Sequence, residues 1–203
     1  TSITDQQAES LSKVSVLGLN SLTSITDQQA QSLSKVMSLS LGLTSITNEQ
    51  VEILSKVMYL QLNGLTSITT KQAQILSNTA AQLDGLTSIT DEQAESLCRY
   101  DGYLSLGGLT SITDQQAESL SKARQLLLSG LISITDEQAK SLSKVQGSLD
   151  LNGLTEITDE QAAILGGVTC WLYLDGLTSI TDDQAEILSK IRFLSLNGLT
   201  SIT

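Results

Sequence analysis

A four-residue segment, Thr-Ser-Ile-Thr or a close variant of it, recurs ten times along this chain. Consecutive copies begin 21 to 23 residues apart, at Thr1, Thr23, Thr44, Thr66, Thr87, Thr110, Ile132, Thr155, Thr178 and Thr200. Units of this length stack into a solenoid, in which each unit contacts only its neighbours. We therefore predict a single solenoid of about nine repeats over residues 1–203, without an evident polar cap at either end.

Each repeat contains a short apolar alternation. In the third unit, Leu60 and Leu62 alternate with Tyr59, Gln61 and Asn63. This period of two predicts a short strand that is buried on one face only.

A short helix is predicted to follow each strand. Thr69 can cap its first turn, and Gln72, three residues later, completes a capping box. The same Thr-x-x-Gln spacing occurs in every repeat, beginning at Thr4, Thr26, Thr47, Thr69, Thr90, Thr113, Thr135, Thr158 and Thr181. The small Ala73 allows the helix to pack close to the sheet, and about two helical turns are too few to be stable alone.

The pattern Leu-x-Leu-x-x-Leu-x-x-Ile-Thr-Asp-x-x-Ala-x-x-Leu resembles the leucine-rich repeat, most closely its cysteine-containing subclass with the Ile-Thr-Asp run. The resemblance implies an α/β solenoid: a horseshoe with a parallel β-sheet on the concave face and short helices on the convex face. Where that subclass has Cys or Asn after the strand, this chain has leucine, at Leu22, Leu43, Leu65, Leu86, Leu109, Leu131, Leu154, Leu177 and Leu199. The usual side-chain ladder must therefore be absent, and backbone bonds or water must take its place.

Composition excludes several functions. The net charge of −11 argues against nucleic acid, which requires a basic surface. The chain lacks histidine and any recognisable catalytic motif, so we expect no enzyme, no cofactor and no metal site. Cys98 and Cys170 occupy different positions in distant repeats, which argues against a disulfide between them.

The location of the chain is predicted from weaker signals. No apolar stretch is long enough to span a bilayer, so we expect no membrane insertion. The N-terminus lacks the layout of a signal peptide, and the missing initiator Met suggests a segment of something longer. Serine and threonine form about a quarter of the chain, which suggests an extracellular or cell-surface protein.

The strand positions that do not repeat are the candidate binding residues. They should point to the concave face, and they carry the aromatic side chains together with polar neighbours. The predicted partner-binding residues are Tyr59, Tyr103, Trp171, Tyr173, Asp175 and Phe193. Alternatively, these rings only stabilise the sheet through cross-strand packing.

The Thr-Ser pairs form a second regular feature. Pairs such as Thr66 and Ser67 should form hydroxyl rows along the solenoid, interrupted at Ile132 and Glu156. We expect these hydroxyls to bond the local backbone of their turns. The alternative is a surface that resembles the threonine arrays of ice-binding solenoids.

Two functional hypotheses follow. In the first, the chain is a binding module that presents its concave aromatic strip to a protein or glycan partner. In the second, it is a structural scaffold that assembles head to tail through uncapped terminal repeats.

Overall fold

The computed structural model describes residues 2–98 and 102–202. Within these ranges, each repeat contributes one seven-residue helix and one strand of the main sheet. The helices are α1 Asp5–Leu11, α2 Asp27–Leu33, α3 Asn48–Leu54, α4 Thr70–Leu76, α5 Asp91–Leu97, α6 Asp114–Leu120, α7 Asp136–Leu142, α8 Asp159–Leu165 and α9 Asp182–Leu188. The strands are β1 Val16–Leu19, β2 Ser38–Leu41, β3 Tyr59–Gln61, β4 Ala80–Gln82, β5 Tyr103–Ser105, β6 Gln125–Leu127, β7 Ser148–Asp150, β8 Trp171–Tyr173, β9 Ser179–Ile180, β10 Phe193–Ser195 and β11 Ser201–Ile202.

The main sheet has nine parallel strands in the order β1-β2-β3-β4-β5-β6-β7-β8-β10. Equivalent positions of consecutive repeats are in register, as in the pairing of Leu149 with Leu172. Strands β9 and β11 form a separate two-stranded parallel sheet from the Thr-Ser-Ile-Thr segments. The predicted α/β solenoid is confirmed, with the sheet on the concave face and the helices on the convex face.

Every described helix begins with the predicted capping box. In α7, the Thr135 hydroxyl oxygen accepts from the Gln138 N–H at 3.1 Å, and Gln138 Oε1 accepts from the Thr135 N–H at 2.9 Å. Two of the unpaired N–H groups at the helix start are thereby satisfied. Capping therefore supports these seven-residue helices, which also need packing of their buried faces against the core.

The leucine that replaces Cys or Asn is buried in the core. Leu131 and Leu154 have no exposed surface. Each N–H donates instead to the carbonyl three residues earlier, from Leu131 to Leu128 and from Leu154 to Leu151, both at 3.0 Å. A backbone turn therefore takes the place of the side-chain ladder at this position, as expected.

The capping glutamine also joins consecutive repeats, which the sequence did not reveal. Gln138 Nε2 donates at 2.8 Å to the carbonyl of Ile112 in the preceding repeat. The corresponding bonds of the eight glutamines are 2.7 to 3.1 Å long, and their donors are Gln29, Gln50, Gln72, Gln93, Gln116, Gln138, Gln161 and Gln184. We call this row the glutamine ladder.

Cys98 and Cys170 are both buried free thiols, so the disulfide that we argued against is absent. Burial raises the pKa of the Cys98 thiol from 9.0 to about 12. Its thiolate is therefore strongly disfavoured in the folded protein.

We expect this thiol to weaken the protein at alkaline pH. Because its pKa is raised on folding, its contribution to stability is complete below pH 9 and falls as the pH rises towards 12. One such group lowers the free energy of unfolding by about 1.4 kcal/mol per pH unit in that window. Urea unfolding at several pH values should show a shallower alkaline decline for Cys98→Ala than for the wild type. Equal declines would contradict the assignment.

Candidate functional site

The concave face presents three columns of side chains, one from each outward-facing strand position. The first column runs through Val16, Ser38, Tyr59, Ala80, Tyr103, Gln125, Ser148, Trp171 and Phe193. All six predicted partner-binding residues lie on this face. The structure gathers Trp171, Tyr173, Asp175 and Phe193 on and just beyond strands β8 and β10, whereas Tyr59 and Tyr103 lie several strands away.

Three rings stack at the first of these places. Trp171 and Phe193 are 4.2 Å apart between ring centroids with planes 11° apart, and Trp171 and Tyr173 are 6.5 Å apart at 16°. These separations lie within or just below the range in which aromatic rings attract one another. Trp171 nevertheless remains 48% exposed. We call Trp171, Tyr173 and Phe193 the aromatic cluster.

Arg192 is a fourth member of this surface that sequence reasoning missed. Its guanidinium carbon lies 5.0 Å from the Phe193 ring centroid, which is within the range of a cation–π contact. Its position directly before an outward-facing aromatic residue was the available signal. The cluster thus has a cation at one edge and the Asp175 carboxylate nearby in sequence.

Asp175 is already bonded to the next repeat. Its Oδ1 accepts from the Ser195 hydroxyl at 2.6 Å and from the Asn197 N–H at 2.8 Å. The Ser195 hydroxyl bond, followed by that N–H bond, lowers the pKa of Asp175 below 3.8. Asp175 is therefore ionised at neutral pH and held in a fixed position.

The same arrangement recurs along the third column. Asn152 Oδ1 accepts from the Asp175 N–H at 2.7 Å, and Asn63 Oδ1 accepts from the Asp84 N–H at 3.1 Å. Asp84 Oδ1 accepts in turn from the Gly107 N–H at 2.8 Å. These acceptors fix the edge of the sheet between repeats. The frequency of Asn and Asp at this position was the available signal for these bonds.

Asp150 lies on the same face, and its pKa is shifted in the opposite direction from that of Asp175. Burial raises its pKa above 3.8, although its Oδ1 accepts from the Asn152 N–H at 2.9 Å. Two neighbouring carboxyl groups whose pKa values are shifted in opposite directions can serve as the general acid and the general base of an enzyme. Here each shift has a structural cause, namely burial at Asp150 and the bonds to the next repeat at Asp175. Neither pKa shift therefore requires a catalytic explanation.

The expectation for the Thr-Ser pairs was wrong. Both hydroxyl rows are exposed along the described residues. In that part of the chain, Thr200 is the one member whose hydroxyl bonds a protein group, the carbonyl of Thr178 at 3.3 Å. Backbone groups of these segments pair between repeats instead, as in β9 with β11 and from the Thr44 N–H to the Thr23 carbonyl at 3.2 Å.

Across residues 2–98 and 102–202, no group of three or more Cys, Asp or Glu side chains could hold a metal ion. In the same ranges, no helix has the length and apolar character needed to cross a bilayer.

Comparisons with known proteins relate this chain to others by fold. No protein-family model matches the sequence, and no curated protein matches it. Solved structures of leucine-rich repeat proteins do match it. A chain of a TLR13–ssRNA13 complex superposes with a TM-score of 0.63 at 16% identity, over 99% of this chain and 31% of that one.

Two further structures give a similar result. The internalin InlF of Listeria monocytogenes has a TM-score of 0.55 at 16% identity, over 98% of this chain and 62% of its own. A chain of the Toll–Spätzle complex of Drosophila has a TM-score of 0.55 at 16% identity, over 100% of this chain and 37% of its own length. The present chain thus spans less than two thirds of each. At these identities the likeness shows the fold alone.

Proposed function

We propose that this chain is a non-enzymatic binding module that holds a protein or glycan partner against its concave face. The observation that carries the proposal is the exposed aromatic cluster, stacked on strands whose positions are fixed from repeat to repeat. We further propose an extracellular or cell-surface location, and the Ile-Thr-Asp subclass with leucine in place of Cys or Asn.

The aromatic cluster has the physical properties of a binding anchor. Stacking with Phe193 already restricts Trp171, so little side-chain entropy remains to be lost when a partner covers it. Rigid aromatic residues with neighbouring polar groups dominate the energies of many interfaces. Arg192 and Asp175 would then orient the partner by charge.

Charge supports the choice of partner class. Although one of the similar structures is a complex with RNA, this chain carries a net charge of −11, and Asp84, Asp150 and Asp175 all belong to its concave strands or their ends. These carboxylates would repel a phosphate backbone. A protein or a glycan is the better match.

The proposal predicts that loss of two rings weakens binding of the partner without unfolding the protein. Wild type and Trp171→Ser/Phe193→Ser would be screened against a displayed peptide library and a glycan array. We expect the double variant to bind the wild-type ligands at least about thirtyfold more weakly, because interface anchors contribute about 2 kcal/mol or more. Circular dichroism should show unchanged folding.

Ile132→Thr is the matched control. Ile132 is 65% exposed, lies off the concave face, and replaces the threonine of most repeats. This variant removes exposed apolar surface and should bind like the wild type. Equal binding by the double variant would contradict the proposal. If the protein assembles with increasing concentration, and Trp171→Ser/Phe193→Ser does not alter that assembly, the head-to-tail scaffold is favoured instead.

A further inference from the structure

A shallow groove crosses the concave sheet over strand β4, several strands from the aromatic cluster. Its volume is about 240 Å³. Strand β4 carries Ala80 in the column where β3 carries Tyr59 and β5 carries Tyr103. The small alanine therefore forms a floor between two tyrosines.

The distance between Tyr59 and Tyr103 across the groove suits one flat ring. Neighbouring strands lie about 4.8 Å apart, so the two tyrosine positions are separated by about 10 Å across β4. That gap leaves room for one ring between two aromatic side chains. The volume is below the roughly 300–1,000 Å³ of sites for drug-sized ligands. A second cavity, of about 410 Å³, shares Tyr59, Ala80 and Tyr103 and extends towards Met58 and Arg124.

Two side-chain amides of the groove are available to a ligand, whereas that of Gln82 already donates to Asp84. Gln61 and Gln125 line it, and within the described part of the chain their side-chain amides have no hydrogen-bond partner. Ser38 adds a hydroxyl group. An amide can both donate and accept, so these groups match a ligand that carries several hydroxyls. The aromatic ring of a peptide side chain would leave them unbonded.

The charges around the groove disfavour an anion. Burial is the largest cause that raises the pKa of Tyr103 above 10.0. A hydrogen bond to Ser105 opposes this increase in pKa, and the charges of Asp84 and Asp150 add to it. Both carboxylates therefore act on the groove, whereas the cation Arg124 lines the larger second cavity and not the groove itself. A neutral ligand avoids this repulsion.

We infer that this groove binds one neutral pyranose ring of a glycan, stacked between Tyr59 and Tyr103 and hydrogen-bonded by Gln61 and Gln125. The inference rests on the proposed function, since it assigns a glycan subsite to the same concave face. It is distinct from the aromatic cluster, because Tyr59 lies on β3 and Trp171 on β8.

The test uses neutral oligosaccharides of glucose, mannose, galactose and N-acetylglucosamine, with calorimetry and saturation-transfer NMR as readouts. We expect at least one of them to bind the wild type. Tyr59→Ser should weaken that binding about tenfold, because one aromatic stacking contact contributes up to about 1.5 kcal/mol. Ala80→Leu should weaken it as much by filling the floor of the groove, and its position on the open face should leave folding unchanged.

The control is Ile132→Thr, an exposed position off the concave face, which should bind the same oligosaccharide like the wild type. A heparin fragment and a neutral tryptophan-containing peptide complete the panel. The inference is overturned if no neutral sugar binds, if Ala80→Leu binds one undiminished, or if only the heparin fragment or the peptide occupies the groove. These outcomes leave the proposed function to its own test, since that test depends on Trp171 and Phe193.

Discussion

Gln138→Glu should destabilise the protein by about 3 kcal/mol at pH 7, because it turns a donor of the glutamine ladder into an acceptor. The wild-type Nε2 group donates to the Ile112 carbonyl at 2.8 Å, and Gln138 is 7% exposed. The introduced carboxylate would face that carbonyl oxygen. Urea unfolding of the purified variant measures the loss.

The control for this variant is Gln7→Glu. Gln7 closes the same capping box on α1, with its Oε1 accepting from the Thr4 N–H at 2.8 Å, but it is exposed and makes no described bond to another repeat. A carboxylate near a helix start is favourable, so this change should cost nothing measurable. Equal losses in the two variants would show that the glutamines act only as caps.

The pH dependence gives a second check. In Gln138→Glu the new carboxyl group is buried against a carbonyl, so its folded pKa lies above the unfolded value of about 4.3. The protonated group can donate to Ile112, and it loses this ability as the pH rises through the folded pKa. The difference in the free energy of unfolding between the variant and the wild type should therefore shrink as the pH falls towards about 4.

Gly176→Ala should destabilise the protein by about 3 kcal/mol, because a methyl group there would meet the backbone of the preceding repeat. The added carbon would lie 2.2 Å from the carbonyl oxygen of Asn152 and 2.6 Å from that of Leu154. No described glycine has a positive φ, so this glycine is needed for close approach and not for its backbone angle. Urea unfolding again provides the measurement.

Gly18→Ala is the matched control, since an added carbon there meets nothing within 4 Å. It should leave stability unchanged or raise it by about 0.5 kcal/mol, through a reduced entropy of the unfolded chain. A loss at Gly18 as large as that at Gly176 would contradict the explanation, because backbone freedom would then matter more than the packing of successive turns.

Sequence reasoning worked best where the chemistry is local. The capping box of Thr135 and Gln138 depends on residues three apart, and it formed as expected. The alternation of Leu60 with Tyr59 and Gln61 likewise gave the strand and its outward face. Such spacings can be read directly from a single repeat.

The bonds between repeats could not be read in this way. Gln138 reaches Ile112 across 26 residues, and Asp175 reaches Ser195 across 20. Both depend on how far each repeat is offset from the next, which a list of recurring residues does not specify. For the same reason, Asp175 was assigned only to partner binding. The contact of Arg192 with Phe193 joins adjacent residues and was overlooked for another reason, because it depends on the direction of the arginine side chain, which the sequence does not specify.

The most direct test of the proposed function uses Trp171 itself, the single tryptophan of the chain. Acrylamide quenching of its fluorescence would be measured in the free protein and in the presence of a saturating peptide ligand from the displayed library. Because Trp171 is 48% exposed, the free protein should be quenched readily. A ligand held by the aromatic cluster should reduce the quenching constant severalfold. An unchanged constant at saturation would place the ligand elsewhere and contradict the proposal.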